Sequence, residues 1–198
     1  MDAKARRLAI SSLALTAVFS APSQAAGDVG TTPARALDGC YVPESGYAES
    51  TSYSETDQLG TYRLVLSRTG WAQLSPSNQS RVQRRLVLQG PLKGTVTSSD
   101  PSSGNTYLSH VLGTQERLGL VLSQGDEFRP TAFSPCETGG LVLQGTETIR
   151  PVAGTGAYAR LLPGGSVVVK GTVNTCTFLN DFEVVPRQGQ LCFPSTVR

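Results

Sequence analysis

After Phe19 this chain has no long apolar run, and nowhere does it carry a Cys-x-x-Cys pair, a Gly-x-Ser-x-Gly turn or a run of Lys and Arg longer than two. It has one histidine and one tryptophan. Each absence removes a class of function. Without a basic run or patch there is no electrostatic footprint for nucleic acid or anionic lipid. Without paired cysteines and with a single histidine, a structural zinc site lacks ligands. Without the serine elbow, the hydrolases that depend on it are excluded. Helix signals are also scarce. Only Ser75–Arg84 reads as a short helical turn, with Ser75 as its cap and Pro76 at its first position.

The N-terminus sets the compartment expected for the chain. Lys4, Arg6 and Arg7 precede the apolar run Leu8–Phe19, and small residues follow at Ser23-Gln24-Ala25-Ala26. This order predicts a signal peptide over 1–26, cleaved after Ala25 or Ala26. The run is shorter than the ~20 residues a permanent membrane anchor needs, and no cysteine follows it to carry a lipid. Arg6-Arg7 also leaves a twin-arginine signal open. The expected destination is the periplasm or the exterior. Lys4, Arg6 and Arg7 against Asp2 contribute all of the precursor's formal +2, so the exported part is near neutral. Cys40, Cys136, Cys176 and Cys192 then read as two disulfides, for which three connectivities exist. Cys40–Cys136 with Cys176–Cys192 is favoured, because the second pair clips the C-terminal segment locally.

Residues 27–57 read as a flexible N-terminal arm. Within it, Glu44–Asp57 is rich in Ser, Thr and Glu and lacks apolar periodicity. From 58 to 198 the chain reads as one all-β domain ending in a Cys-bearing extension. Alternating or continuous apolar runs mark strands at Thr61–Ser67, Arg85–Val96, Thr106–Leu112, Leu118–Ser123, Leu141–Ile149, Ser166–Val173 and Asp181–Val185. Turn-forming clusters lie between them, among them Asp100–Asn105, Gln124-Gly125-Asp126 and Pro163-Gly164-Gly165. Links this short exclude a parallel sheet, leaving an antiparallel sandwich or barrel. LVLS and LVLQG at Leu64 and Leu86 recur at Leu120 and Leu141. The recurrence is open to two readings, a duplicated strand set or a chance of limited alphabet.

Period two assigns faces. Leu141, Leu143, Gly145, Glu147 and Ile149 share one side of their strand, and Leu108, His110 and Leu112 share one side of theirs. Glu147 and His110 therefore fall on apolar faces. They are either a candidate acid–base pair or hydrogen-bonded core residues. Ser109 points away from His110 and forms no nucleophile–base pair with it.

Gly154-Thr155-Gly156 follows the Glu147 strand, is followed by the aromatic Tyr158, and leads through Pro163-Gly164-Gly165 into SVVVKGTV. Upstream lie His110-Val111-Leu112-Gly113-Thr114, a Leu-rich strand, Gly125-Asp126, and Gly140 before the Glu147 strand. This order, over about Leu86 to Asn174, resembles the allene oxide cyclase and dirigent-type β-barrels. The resemblance implies an antiparallel eight-stranded barrel, often oligomeric, with an apolar cavity at one end. The export signal, the four cysteines and the C-terminal extension depart from that pattern, and no working residue of those families maps onto a numbered position here. The expectation is a secreted barrel holding a small apolar molecule near Glu147 and His110, with Arg150 and Tyr158 at the cavity rim and no metal or organic cofactor. A cofactor-independent cyclase or isomerase is the alternative, as is a structural or surface interaction protein with a filled lumen.

Overall fold

The computed structural model describes residues 36–114, 119–137 and 139–195. The expected signal peptide lies outside the described residues. Nine strands follow one another: β1 Gly39–Ser52, β2 Asp57–Arg68, β3 Arg85–Ser99, β4 Thr106–Gly113, β5 Leu120–Pro135, β6 Leu141–Ile149, β7 Pro151–Gly154, β8 Ser166–Asn174 and β9 Leu179–Phe193. Eight of them close a ring in the order β1-β2-β3-β4-β5-β6-β8-β9 and back to β1, each neighbour antiparallel. Closure leaves no edge strand in the ring. β7 is a short addition against Val121–Ser123 of β5. The expected barrel is thus the observed one.

Seven strands stand where the apolar runs placed them, several longer than expected; Leu118, the first residue of one expected run, lies outside the described residues. The short helix α1, Pro76–Arg81, starts as its sequence requires: the Ser75 hydroxyl accepts from the Asn78 N–H at 3.4 Å, and Pro76 occupies the first turn.

Three expectations fail. Glu44–Asp57 is not an irregular arm, since most of it belongs to β1, paired with both β2 and β9. Its periodicity is invisible because its inner face carries Ala48, Ser50 and Ser52, small residues that line cavities rather than fill them. The C-terminal segment is no extension. It is the second half of β9, with Gly39 opposite Phe193. The disulfides also differ from the favoured pairing. Cys40 bonds Cys192, directly opposite it on β1 and β9 with Cα atoms 4.0 Å apart, and Cys136 bonds Cys176 at 6.5 Å. Barrel closure, which sequence separation hides, brings the first and last strands together.

The repeated words are not a duplicated hairpin. Leu64, Val65 and Leu66 pair directly with Leu88, Val87 and Leu86. Leu120 instead begins β5, whereas Leu141 begins β6 and pairs with Pro135 at the other end of β5, so the second two words do not pair with each other. Leu64 is buried whereas its counterpart Leu120 is exposed.

The two ends of the barrel differ. At one end Tyr41, Tyr158, Leu161, Leu191 and Phe193 fill the lumen within the main apolar cluster, and Tyr41 meets Phe193 edge-to-face at 5.9 Å. At the other end the connections β1–β2, β3–β4, β5–β6 and β8–β9 surround an opening, and Cys136–Cys176 ties the last two together.

Candidate functional site

The floor of that opening is built by five strands, β2, β4, β5, β6 and β9. β4 turns His110 inward between Leu108 and Leu112, and β6 turns Glu147 inward, as alternation required. The third member is Asp126 on β5, in a Gln124-Gly125-Asp126 stretch whose residue types predict a turn. β5 instead runs straight through Gln124-Gly125-Asp126, with a register shift against β4 and Gly125 at φ 66°. The bulge changes the parity of the strand: Val121 and Ser123 are buried before it, Asp126 and Phe128 after it. A carboxylate that strict alternation would place elsewhere is thereby delivered beside His110. The residual sequence signal was the glycine inside an apolar stretch, together with that switch of phase.

Asp126 is fully buried and satisfied. It accepts from His110 Nδ1 at 2.7 Å, from the Arg150 backbone N–H at 2.5 Å and from the Ser123 hydroxyl. Ser123 also accepts the His110 backbone N–H at 3.0 Å. The serine near the imidazole is therefore Ser123, not Ser109, and it is bound to Asp126 rather than to the ring. The other ring nitrogen, Nε2, has a donor and an acceptor at nearly equal range, Gln58 Nε2 at 3.5 Å and Glu147 Oε1 at 3.6 Å. Neutral His110 pairs with the first and imidazolium faces the second, so both protonation states have a neighbour.

Burial pulls the His110 pKa down, but the Asp126 hydrogen bond and the charges of Glu147 and Asp126 outweigh it, and the net direction is up. Burial pushes the Glu147 carboxyl up, opposed by His110 and reinforced by Asp126. Glu147 Oε1 has no hydrogen-bond partner. On the far side of Gln58, Asn180 of β9 donates to Gln58 Oε1 at 2.9 Å and to the Ser50 and Ser52 hydroxyls at 3.2 Å, while its own Oδ1 is unpartnered. Gln58 and Asn180 carry no sequence signal, because the apolar runs that mark β2 and β9 begin only at Thr61 and Asp181.

This layer divides the lumen. Towards the closed end lies a space of about 50 Å³ walled by Leu64, Leu92, Leu112, Val167 and Val169, with room for a few waters at most. Towards the open end lies a cavity of about 390 Å³, within the range of small-molecule sites. Val96, Leu108, Phe128, Leu143 and Phe182 form its wall, Glu147, Gln58 and Asn180 its floor, and Ser54, Glu55, Asp57 and Phe178 its mouth. Phe178 holds φ 61°, a conformation that bulky residues rarely adopt.

The structure brings His110 and Glu147 together, as expected, but removes the other two rim candidates. Tyr158 is buried in the closed end and lines neither lumenal space. The Gly-Thr-Gly turn folds over it, with Thr155 accepting the Leu120 N–H at 2.9 Å and Gly154 pressed against the Tyr158 backbone. The Arg150 side chain lies on the outer wall, bonded to the Gly125 carbonyl and to Glu127.

His110, Asp126 and Glu147 offer ligand atoms within 4.8 Å of one another. They nonetheless form a poor metal site: Asp126 and His110 Nδ1 are committed to each other, which leaves Nε2 and Glu147 against the four or more ligands that most ions require. What the arrangement offers chemically is a proton-holding floor. No family model matches the chain, and no curated protein or solved structure matches it.

Proposed function

We propose that this protein is an exported binding barrel that holds one small, largely apolar molecule in the open half of its lumen. The cavity of about 390 Å³ with its two unpartnered floor oxygens carries the reading, since buried polar atoms without partners are rare and costly unless something answers them. The two disulfides fit an oxidising compartment, periplasmic or extracellular, and among the described residues no helix is long and apolar enough to cross a membrane. Kinship with the allene oxide cyclase and dirigent barrels belongs to the same proposal. It is supported by the closed eight-stranded antiparallel ring and by the strand, Gly-Thr-Gly turn and strand sequence through β6, β7 and β8.

Native mass spectrometry of the protein purified from its own host, followed by denaturing extraction, tests this. A small molecule released only on unfolding is the expected result. An empty protein whose melting temperature no small-molecule panel raises would overturn the proposal and favour a structural barrel.

A second reading has its own observation. The Asp126–His110–Glu147 chain places an oriented imidazole next to a carboxyl whose proton is held by burial. That is the equipment of a general acid and base for an isomerisation or cyclisation on an enclosed substrate.

A further inference from the structure

Resting on that binding reading, we infer that the ligand of the open cavity is an organic cation: a protonated amine on an apolar, ring-sized body. Three observations converge. First, the titratable side chains lining the cavity are all acidic. Glu147 stands at the floor with Glu55 and Asp57 at the mouth, and no Lys or Arg is among the described lining residues. Second, among the described residues the two buried side-chain atoms without a hydrogen-bond partner, Glu147 Oε1 and Asn180 Oδ1, belong to this floor, and both are acceptors when Glu147 is ionised. A hydrogen-bond acceptor or an anion arriving there would leave them unanswered, whereas an ammonium brings up to three donors and a charge. Third, three phenylalanines surround the same space. Phe128 and Phe182 meet edge-to-face at 6.0 Å in the wall and Phe178 stands at the mouth, and aromatic faces attract cations when solvent is excluded.

The charged neighbours of the floor agree with this. Asp126 is occupied by its three donors, and neutral His110 accepts from Gln58, so an arriving ammonium meets Glu147 in the place that the His110 imidazolium faces at 3.6 Å. Asp57 is held below the usual carboxylate range by hydrogen bonds from Thr56 and Thr95, and Lys93 at 3.9 Å lies on the exposed side. An ammonium beside Glu147 favours the ionised carboxylate and disfavours the imidazolium of His110 3.6 Å away, both groups being raised, so binding releases a proton from this pair to solvent.

The test is isothermal titration calorimetry of the oxidised protein with 2-phenylethylammonium, 2-phenylethanol and 3-phenylpropanoate. The ammonium should bind at least tenfold tighter than the alcohol, the carboxylate weakest, and the preference should collapse to about one in Glu147→Gln. In the unaltered protein at mildly acidic pH, titrations in buffers of different ionisation enthalpy should show proton release with the ammonium and none with the alcohol. Alcohol binding that equals or exceeds ammonium binding overturns the inference while leaving the binding barrel standing. So does ammonium binding without proton release. Failure of all three probes overturns the inference, and the binding barrel falls with it only if the protein purified from its host is also empty.

Discussion

At Glu147 the cost of burying a charge sets the pH behaviour of the barrel. Its carboxyl is raised above 4.5 in the folded state, so the native form holds a proton that the unfolded chain has released. The associated stability is complete below pH 4.5 and is lost as pH rises through the folded value. His110 acts in the same sense from 6.5 upwards, because it too is raised. Glu147→Gln should therefore flatten the decline in melting temperature on going from mildly acidic to neutral pH, and raise stability at neutral pH. Chemical denaturation across that range checks it. Asp126 is different, because in Asp126→Asn one of its two accepting oxygens becomes an amide nitrogen, facing either the Arg150 N–H or both His110 Nδ1 and the Ser123 hydroxyl. The expected loss is about 2–4 kcal/mol, together with a lower His110 titration midpoint by NMR. An unchanged midpoint would mean that the Asp126 hydrogen bond does not raise the imidazole.

At the scale of the strand, bulges decide which residues see the lumen. Gly125 sits at φ 66° and a Cβ there meets nothing within 4 Å, so Gly125→Val tests backbone strain without a clash. It should cost about 1–2 kcal/mol, a fall of roughly 5 °C in melting temperature for a domain of this size. Phe178 holds the mirror case, a bulky side chain in the left-handed region at the cavity mouth. Phe178→Gly should relieve the backbone and leave the melting temperature level or higher, because the ring is 54% exposed. The same variant should weaken ligand binding if the ring belongs to the site, and calorimetry separates the two effects. Elsewhere too parity changes along a strand: β1 buries Tyr41 and Pro43 before its irregularity at Pro43/Ser45 and Ser50 after it.

For the whole molecule, closure is the controlling event. Cys40–Cys192 joins the first and last strands across 152 residues of sequence, so it restricts the unfolded chain far more than a local clip would. Reduction should lower stability by about 2–4 kcal/mol, a drop of roughly 10 °C in a thermal scan. Cys40→Ser/Cys192→Ser should reproduce most of that loss. Cys136→Ser/Cys176→Ser should cost less, because 40 residues separate that pair, and it should loosen the mouth. Local chemistry alone determined much of this. Seven strands, the Ser75-capped helix, the antiparallel class and the inward facing of His110 and Glu147 follow from periodicity, turn residues and capping, which act between near neighbours in the chain. Only the tertiary structure decided the rest. Asp126 joins the site through a bulge that breaks the period. β1 escapes notice because its inner residues line open space. The disulfide partners, the floor of Gln58 and Asn180, and the burial of Tyr158 all depend on which distant strands meet when the ring closes, and no short window of sequence holds that information.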